Sequence, residues 1–428
     1  MARAGAALSR SSLAGLARYD ALVLTALIWF LAKFLRYAFP PLFDAFQASY
    51  GVSNAVLGTA FTGFMLVYAA MQFPSGVLAD RIGAVRVIVG GVVLASAGAL
   101  VLVVDSPFVV LVGAMLVMGA GTGAHKTVAV RLLSRTYPER TGRALGFLDT
   151  LGTYAGVVAP TAVVLVAGLS LAITGWRLLF LVAGAIGLVL GALFLVRVPK
   201  RLPGAARGID SSSGESRTTA SSSPSDPGLR RYASLFRDRR FAAFVLATIC
   251  FSFTYNGLVA FAPLYLTNEA GLESATANLL YGALFAVSIV QLASGELSDR
   301  VGTLPVIVAA LALATAATVA FVALTGTGSA LALGVALVGI GLGSHGFRPV
   351  RGAYLVQTIP DSIAGGSLGV VRTLLMGAGA VAPAVVGVLS ETAGFRPAFW
   401  LLAGTVAVAT LVCAGLLVTG SGETFNRL

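Results

Sequence analysis

The residues able to do chemistry are few, and they stand in apolar surroundings. Lys33 and Arg36 are three positions apart, Trp29 lies four before Lys33, and Pro40 lies four after Arg36. At helical spacing these four share one face. Two cations on one stripe repel each other unless an anion sits beside or between them, so the stripe is a candidate anion-binding face. The alternative is that Arg36 snorkels to outer headgroups while Lys33 pairs internally. Asp149 is the clearest carboxylate inside an apolar run and shares a face with Gly152, Gly156 and, roughly, Pro160. It either forms a static ion pair or carries a coupling proton. His125 and His345 end matching Gly-x-Gly-x-Gly-x-His runs. Imidazole titrates near neutral pH, so the pair reads either as a proton-sensitive gate or as packing histidines. No carboxylate or cysteine ligand set accompanies them, and no metal site is expected. The chain offers no nucleophile–base set, no phosphate-cradling loop and no nucleotide domain. The reading is therefore not an enzyme, and no cofactor is expected.

The elements that must position these residues follow from composition. The chain has 428 residues, is 57% hydrophobic and is only 11% charged, against about 25% in an average soluble protein. Lipid must serve as much of its solvent. A membrane-crossing helix needs roughly 20 mostly apolar residues, and twelve such runs occur, at 21–43, 55–78, 84–104, 107–129, 143–168, 174–197, 241–267, 275–297, 303–325, 329–350, 364–389 and 395–419. They are continuously apolar rather than alternating, which predicts helices and not barrel strands. Numbered in chain order, they place Lys33 and Arg36 in span 1, His125 and Lys126 in span 4, Asp149 in span 5, and Arg372 in span 11. Cys250 and Cys413 also fall within spans, so no disulfide framework is expected. The first 20 residues lack an apolar core and cleavage pattern, and no cleaved signal peptide is predicted.

The net charge of +12 is topological. Twenty-three of the 29 Lys and Arg fall in the two tails, the even-to-odd loops and the segment between spans 6 and 7, with only Arg177 and Arg396 on the opposite side. The positive-inside rule then puts both termini in the cytoplasm, and no nucleic-acid partner is implied. Residues 199–240 are rich in Ser, Gly and Pro and read as a flexible cytoplasmic linker, with Tyr232 to Arg240 as a short amphipathic helix at the headgroup level. The predicted organisation is an N-terminal bundle at 1–198, the linker at 199–240 and a C-terminal bundle at 241–428.

The two halves repeat. Gly76-Val-Leu-Ala-Asp80-Arg81-Ile-Gly83 matches Gly295-Glu-Leu-Ser-Asp299-Arg300-Val-Gly302, and Gln72 matches Gln291, at an offset of 219. The Gly119–His125 run matches Gly339–His345, and Arg131 matches Arg351, at an offset of 220. The run Gly76 to Arg86, after span 2, and its copy after span 8 resemble the signature loop of the major facilitator superfamily, and the resemblance covers essentially the whole chain. It implies an all-α membrane fold of two pseudo-symmetric six-helix bundles that rock about a central site. Gly76 and Gly295 would admit a neighbouring helix closely. The resemblance further implies that Asp80 meets the start of span 11 and Asp299 the start of span 5, with Arg131 and Arg351 as ion-pair partners. These residues with Arg81 and Arg300 would form a cytoplasmic latch; the plainer alternative is two turns with surface salt bridges.

The expected function is secondary active transport of a small solute, best read as a small organic anion. Lys33, Arg36, His125, His345 and Arg372 are its candidate contacts, with Gln72, Gln291, Tyr255 and Asn256 adding neutral hydrogen bonds and Asp149 coupling. In organic-phosphate exchangers of the superfamily a cation stands eight positions before a proline in spans 1 and 7. Lys33 matches, ahead of Pro41, but Tyr255 occupies the second place, ahead of Pro263, which suits a monocarboxylate better than a phosphate. The alternatives are a proton-coupled multidrug exporter and a non-transporting membrane receptor. Gly152, Gly156 and Pro160 loosely resemble the exporters' exchanger motif, but Ala159 and Met115 stand where a glycine and an arginine belong. The expected partners are a small-molecule substrate, the bilayer of the plasma membrane and a coupling ion such as a proton, and the chain is expected to be a monomer.

Overall fold

The computed structural model describes residues 19–167, 169, 174–200, 236–359 and 364–425, with the backbone alone at 364–370 and 420–425. Among the described residues, twelve helical stretches are long and apolar enough to cross a membrane: Asp20–Tyr50, Asn54–Ile82, Ala84–Val101, Phe108–Thr136, Pro138–Ala167, Gly175–Lys200, Arg239–Asn268, Ser274–Val301, Thr303–Ala323, Ala330–Thr358, Val371–Thr392 and Phe395–Thr419. They are the twelve expected spans. Phe73, Leu331 and Leu292 are 80%, 79% and 70% exposed, an apolar exterior suited to lipid.

The chain forms two compact units. Unit 1 takes Met1–Ala38 and Val67–Ser213, and unit 2 takes Phe39–Leu66 and Gly214–Leu428. The division falls inside spans 1 and 2. In span 1 the chain changes course there for a local reason: Pro40 and Pro41 supply no N–H, and a single 3₁₀ turn, Pro40–Leu42, separates the helices Asp20–Ala38 and Phe43–Tyr50. Most of the expected linker, 201–235, lies outside the described residues. Over its described part, the expected amphipathic helix at Tyr232 to Arg240 is instead a turn followed by a capped helix start, since Asp238 accepts a hydrogen bond from Arg240 N at 2.8 Å.

The sequence repeat has a structural counterpart. Gly83 and Gly302 end spans 2 and 8, each at φ 91°, a conformation that a Cβ disfavours. The glycine-rich helices of spans 4 and 10 also pack closely in both units, but with exchanged roles. The sequence match pairs Gly121 with Gly341 and Gly123 with Gly343. A Cβ on Gly121 would lie 2.4 Å from the Gly91 oxygen of span 3, whereas it is Gly343 that meets span 9, at 2.5 Å from the Ala310 oxygen. Gly123 and Gly341 face spans 2 and 8, with Cβ positions 2.5 Å from Tyr68 O and 2.4 Å from Leu284 O. The exchange accompanies different interruptions. Span 4 breaks at Ala124, between Phe108–Gly123 and His125–Thr136, while span 10 runs unbroken over Ala330–Thr358. Span 8 carries a 3₁₀ turn at Val287–Ile289 and span 2 does not.

Candidate functional site

In unit 1 several of the candidate side chains gather around Trp29. Lys33 follows it by one helical turn, and its Nζ stands 5.0 Å from the indole centroid and 5.4 Å from the ring of Tyr37. Lys126, from span 4, reaches the same indole at 5.0 Å and forms an ion pair with Asp149 of span 5. The Lys126 side chain is 13% exposed and that of Asp149 59%, so the pair is open on the carboxylate side. His125 stacks on Trp29 at 5.9 Å, and its Nε2 lies 3.1 Å from Thr25 O. A carbonyl only accepts, so Nε2 carries the proton and the ring is held between two elements of span 1. Gly152 lets the indole lie against span 5: a Cβ there would be 2.3 Å from both Cδ1 and Nε1 of Trp29. Arg36 points instead to Tyr37 and Tyr68, 5.9 Å from each ring. Gln72 Oε1 accepts from Thr127 at 2.9 Å, joining spans 2 and 4, while Gln72 Nε2 is buried without a hydrogen-bond partner.

Such an arrangement can bind an anion with an apolar body. Two ammonium groups and one indole offer charge and a flat apolar face together, and each cation–π contact is worth about 0.5–2 kcal/mol according to how far it is removed from water. The sequence assigns neither Lys126 nor Trp29 a contact across helices: Lys126 stands out as a cation within a span that, with Lys33, Arg36 and Arg372, motivates anion transport, and Trp29 as a neighbour of Lys33 on one helix face.

Unit 2 holds a related cluster. Tyr255 is 4% exposed, and the Arg348 guanidinium covers its ring at 4.1 Å. His345 approaches Tyr255 edge-on at 6.2 Å and lies the same distance from Phe285. Arg351 sits over Phe347 at 5.7 Å, and Arg372, in span 11, is exposed. Asn256 turns back on its own helix, with Nδ2 donating to Ser252 O at 2.8 Å. Gln291 does likewise, donating to Ser288 O at 3.1 Å.

The signature loops differ between the units. Arg131 grips Asp80 with two nitrogens, at 2.9 and 3.2 Å, while Arg81 is exposed. Asp299 has no ion pair with Arg351 among the described residues; Arg300 pairs with Glu296 one turn back in its own helix. The close helix approach expected at Gly76 and Gly295 is absent. A Cβ on Gly76 would meet only Thr127 Cγ2, at 3.8 Å, and one on Gly295 nothing within 4 Å. The tight crossings are instead at Gly123 and Gly341, which touch spans 2 and 8. The start of span 11, at 360–363, lies outside the described residues.

Comparison with known proteins agrees with this architecture. A profile described as Major Facilitator Superfamily matches residues 25–347. The Multidrug resistance protein B homolog of Mycobacterium tuberculosis is 30% identical over 169 residues, 39% of this chain and 30% of that protein. The 3-(3-hydroxy-phenyl)propionate transporter of Escherichia coli is 26% identical over 257 residues, 59% of this chain and 58% of that protein. The chain thus spans 30% to 58% of the length of these curated relatives. The crystal structure of a bacterial homolog of the human lysosomal transporter Spinster, inward-facing and unoccupied, superposes with a TM-score of 0.74 at 18% identity, covering 94% of this chain and 96% of that one. That likeness concerns the fold. With its twelve spans, its twice-written signature loop and a profile match running from span 1 into span 10, this multi-pass membrane protein belongs to the Major Facilitator Superfamily.

Proposed function

We propose that the protein is a secondary active transporter that moves a small organic anion by alternating access, and that the Trp29 cluster is where the anion's charge is held. The observation that carries this reading is the placement of Lys33 and Lys126 on one indole, with Asp149 paired to Lys126 there. A carboxylate substrate would sit between the two ammonium groups and lay its apolar part on Trp29. Asp149 then competes with the substrate for Lys126 and is the group placed to take up a coupling proton. The name of the E. coli relative, a carboxylate transporter, supports an anionic substrate. The termini are cytoplasmic in this reading, as the Lys and Arg distribution requires, and the protein works as a monomer in the plasma membrane. The latch role of Asp80, Arg131 and their repeats belongs to the same proposal, supported by the Asp80–Arg131 pair.

A second reading, proton-coupled export of cationic drugs, is supported by the name of the M. tuberculosis relative, a multidrug resistance protein homolog, and by Asp149, which is more than half exposed and so accessible to a cation. Flux into proteoliposomes separates the two. The anion reading expects uptake of an aryl carboxylate such as 3-phenylpropionate that Lys33→Gln abolishes. Transport of lipophilic cations that needs Asp149, with no carboxylate flux, would replace it with the second.

A further inference from the structure

We propose that Glu391 is an outer lock: by capping the first turn of span 2, its carboxylate holds the outer ends of spans 1 and 2 against the C-terminal helices, and the outer mouth opens when that cap breaks. The starting observation is that Phe39–Leu66 clusters with unit 2 although the remainder of spans 1 and 2 belongs to unit 1. The contact is continuous. Phe43 packs on Phe261 of span 7 at 5.4 Å. Spans 2 and 11 cross backbone to backbone: a Cβ on Gly58 would lie 2.3 Å from Pro383 O, and one on Gly387 2.5 Å from Asn54 O. Thr62 Oγ1 accepts from Ala384 N at 3.0 Å, beside Pro383, and Asp44 accepts from Ser274 at 3.1 Å and from Thr267 at 3.4 Å.

Asp44 and Glu391 both bring a carboxylate to this seam, and Glu391 is set apart by its position at the start of another helix. Its Oε1 accepts from Ala55 N at 2.8 Å. Ala55 is the second residue of the helix Asn54–Ile82, so its N–H is one of the four at a helix start that have no partner within the helix. A carboxylate there is favoured by the helix dipole, whereas the same carboxylate at the C-terminal end of its own helix, Ala364–Thr392, is disfavoured. Separating the seam therefore costs Glu391 the positive end of span 2, the one contact that offsets its place at the negative end of span 11. The apolar contacts supply area; this one supplies a directional bias toward the closed face.

The test uses the full chain with Cys250 and Cys413 replaced by alanine and a reporter Thr62→Cys, in right-side-out vesicles treated with a membrane-impermeant maleimide. Adding Glu391→Ala is expected to raise the labelling rate by about two- to fivefold, the shift that loss of a favourable helix-terminus charge gives. Glu391→Gln, which keeps an acceptor oxygen without the charge, should give a smaller rise. An unchanged rate in Glu391→Ala would overturn the proposal. So would an equal rise at Val104→Cys, which is 67% exposed and outside the seam, because it would mean general loosening. The outcome does not depend on which solute is carried.

Discussion

Around Trp29 and around Tyr255 the two units assemble the same three parts from different residues. Each has an aromatic ring on the first helix of its half, a histidine against that ring from the fourth, and a cation from the fourth helix over the ring face. The difference lies in charge. In unit 1 the cation on the ring, Lys126, is paired with Asp149, and a second cation, Lys33, shares the indole. In unit 2 Arg348 covers Tyr255 at 4.1 Å, and neither span 7 nor span 10 contains an Asp or Glu. Duplication preserved a scaffold of ring, imidazole and cation, and left the carboxylate that can exchange partners in one copy. A unit with a removable internal counter-ion can respond to an arriving anion; a unit with fixed positive charge can only attract one.

The comparison breaks most sharply on the cations. Lys126→Gln should lower anion flux at least about tenfold, because it removes a substrate contact of about 1.4 kcal/mol and leaves Asp149 without its partner. Arg348→Gln leaves no carboxylate unpaired and should cost only the cation–π contact, about 0.5–2 kcal/mol. Adding Asp149→Asn to Lys126→Gln should restore thermal stability without restoring flux, whereas equal and additive losses would show that the pair does not act as a unit. Flux and melting temperature measured on the unmodified protein, Lys126→Gln, Asp149→Asn, their combination and Arg348→Gln decide between these.

A smaller contrast lies in the glycines beneath the two clusters. Gly152→Ala forces a Cβ to within 2.3 Å of the Trp29 indole, a rigid ring, and should cost about 1–3 kcal/mol by overpacking while weakening substrate binding. Gly379→Ala meets the ends of the Asn256 and Ser252 side chains, at 2.4 and 2.6 Å, and these can rotate away, so its effect on melting temperature should be less. The reverse order would mean that Trp29 yields more readily than its packing suggests.

Much of the scaffold was legible in the sequence because lipid imposes a simple rule. Apolar runs of sufficient length become spans, and the repeated signature loops locate matching helix ends, which Gly83 and Gly302 bear out with the same positive φ. Lys33, spaced one turn from Trp29, was legible for the same reason. The partners of Lys126 were not, since they come from other helices, Trp29 of span 1 and Asp149 of span 5, and pairing across helices leaves no periodic trace. The exchange of neighbours between Gly121 and Gly341 was hidden as well: matched letters align residues along a chain and say nothing of which neighbouring helix each one meets. The division of spans 1 and 2 between units reflects tertiary contact, visible in the sequence only as the two prolines at 40 and 41.

The central claim is that an organic anion binds on Trp29 between Lys33 and Lys126. It is tested most directly by tryptophan fluorescence of the purified protein carrying Trp176→Phe and Trp400→Phe, which leaves Trp29 as the sole indole. Titration with 3-phenylpropionate should change the emission saturably, and Lys33→Gln should weaken the half-saturation concentration by about tenfold or more, equivalent to about 1.4 kcal/mol. A carboxylate that binds the protein while Trp29 emission stays flat, or a titration indifferent to Lys33, would contradict it.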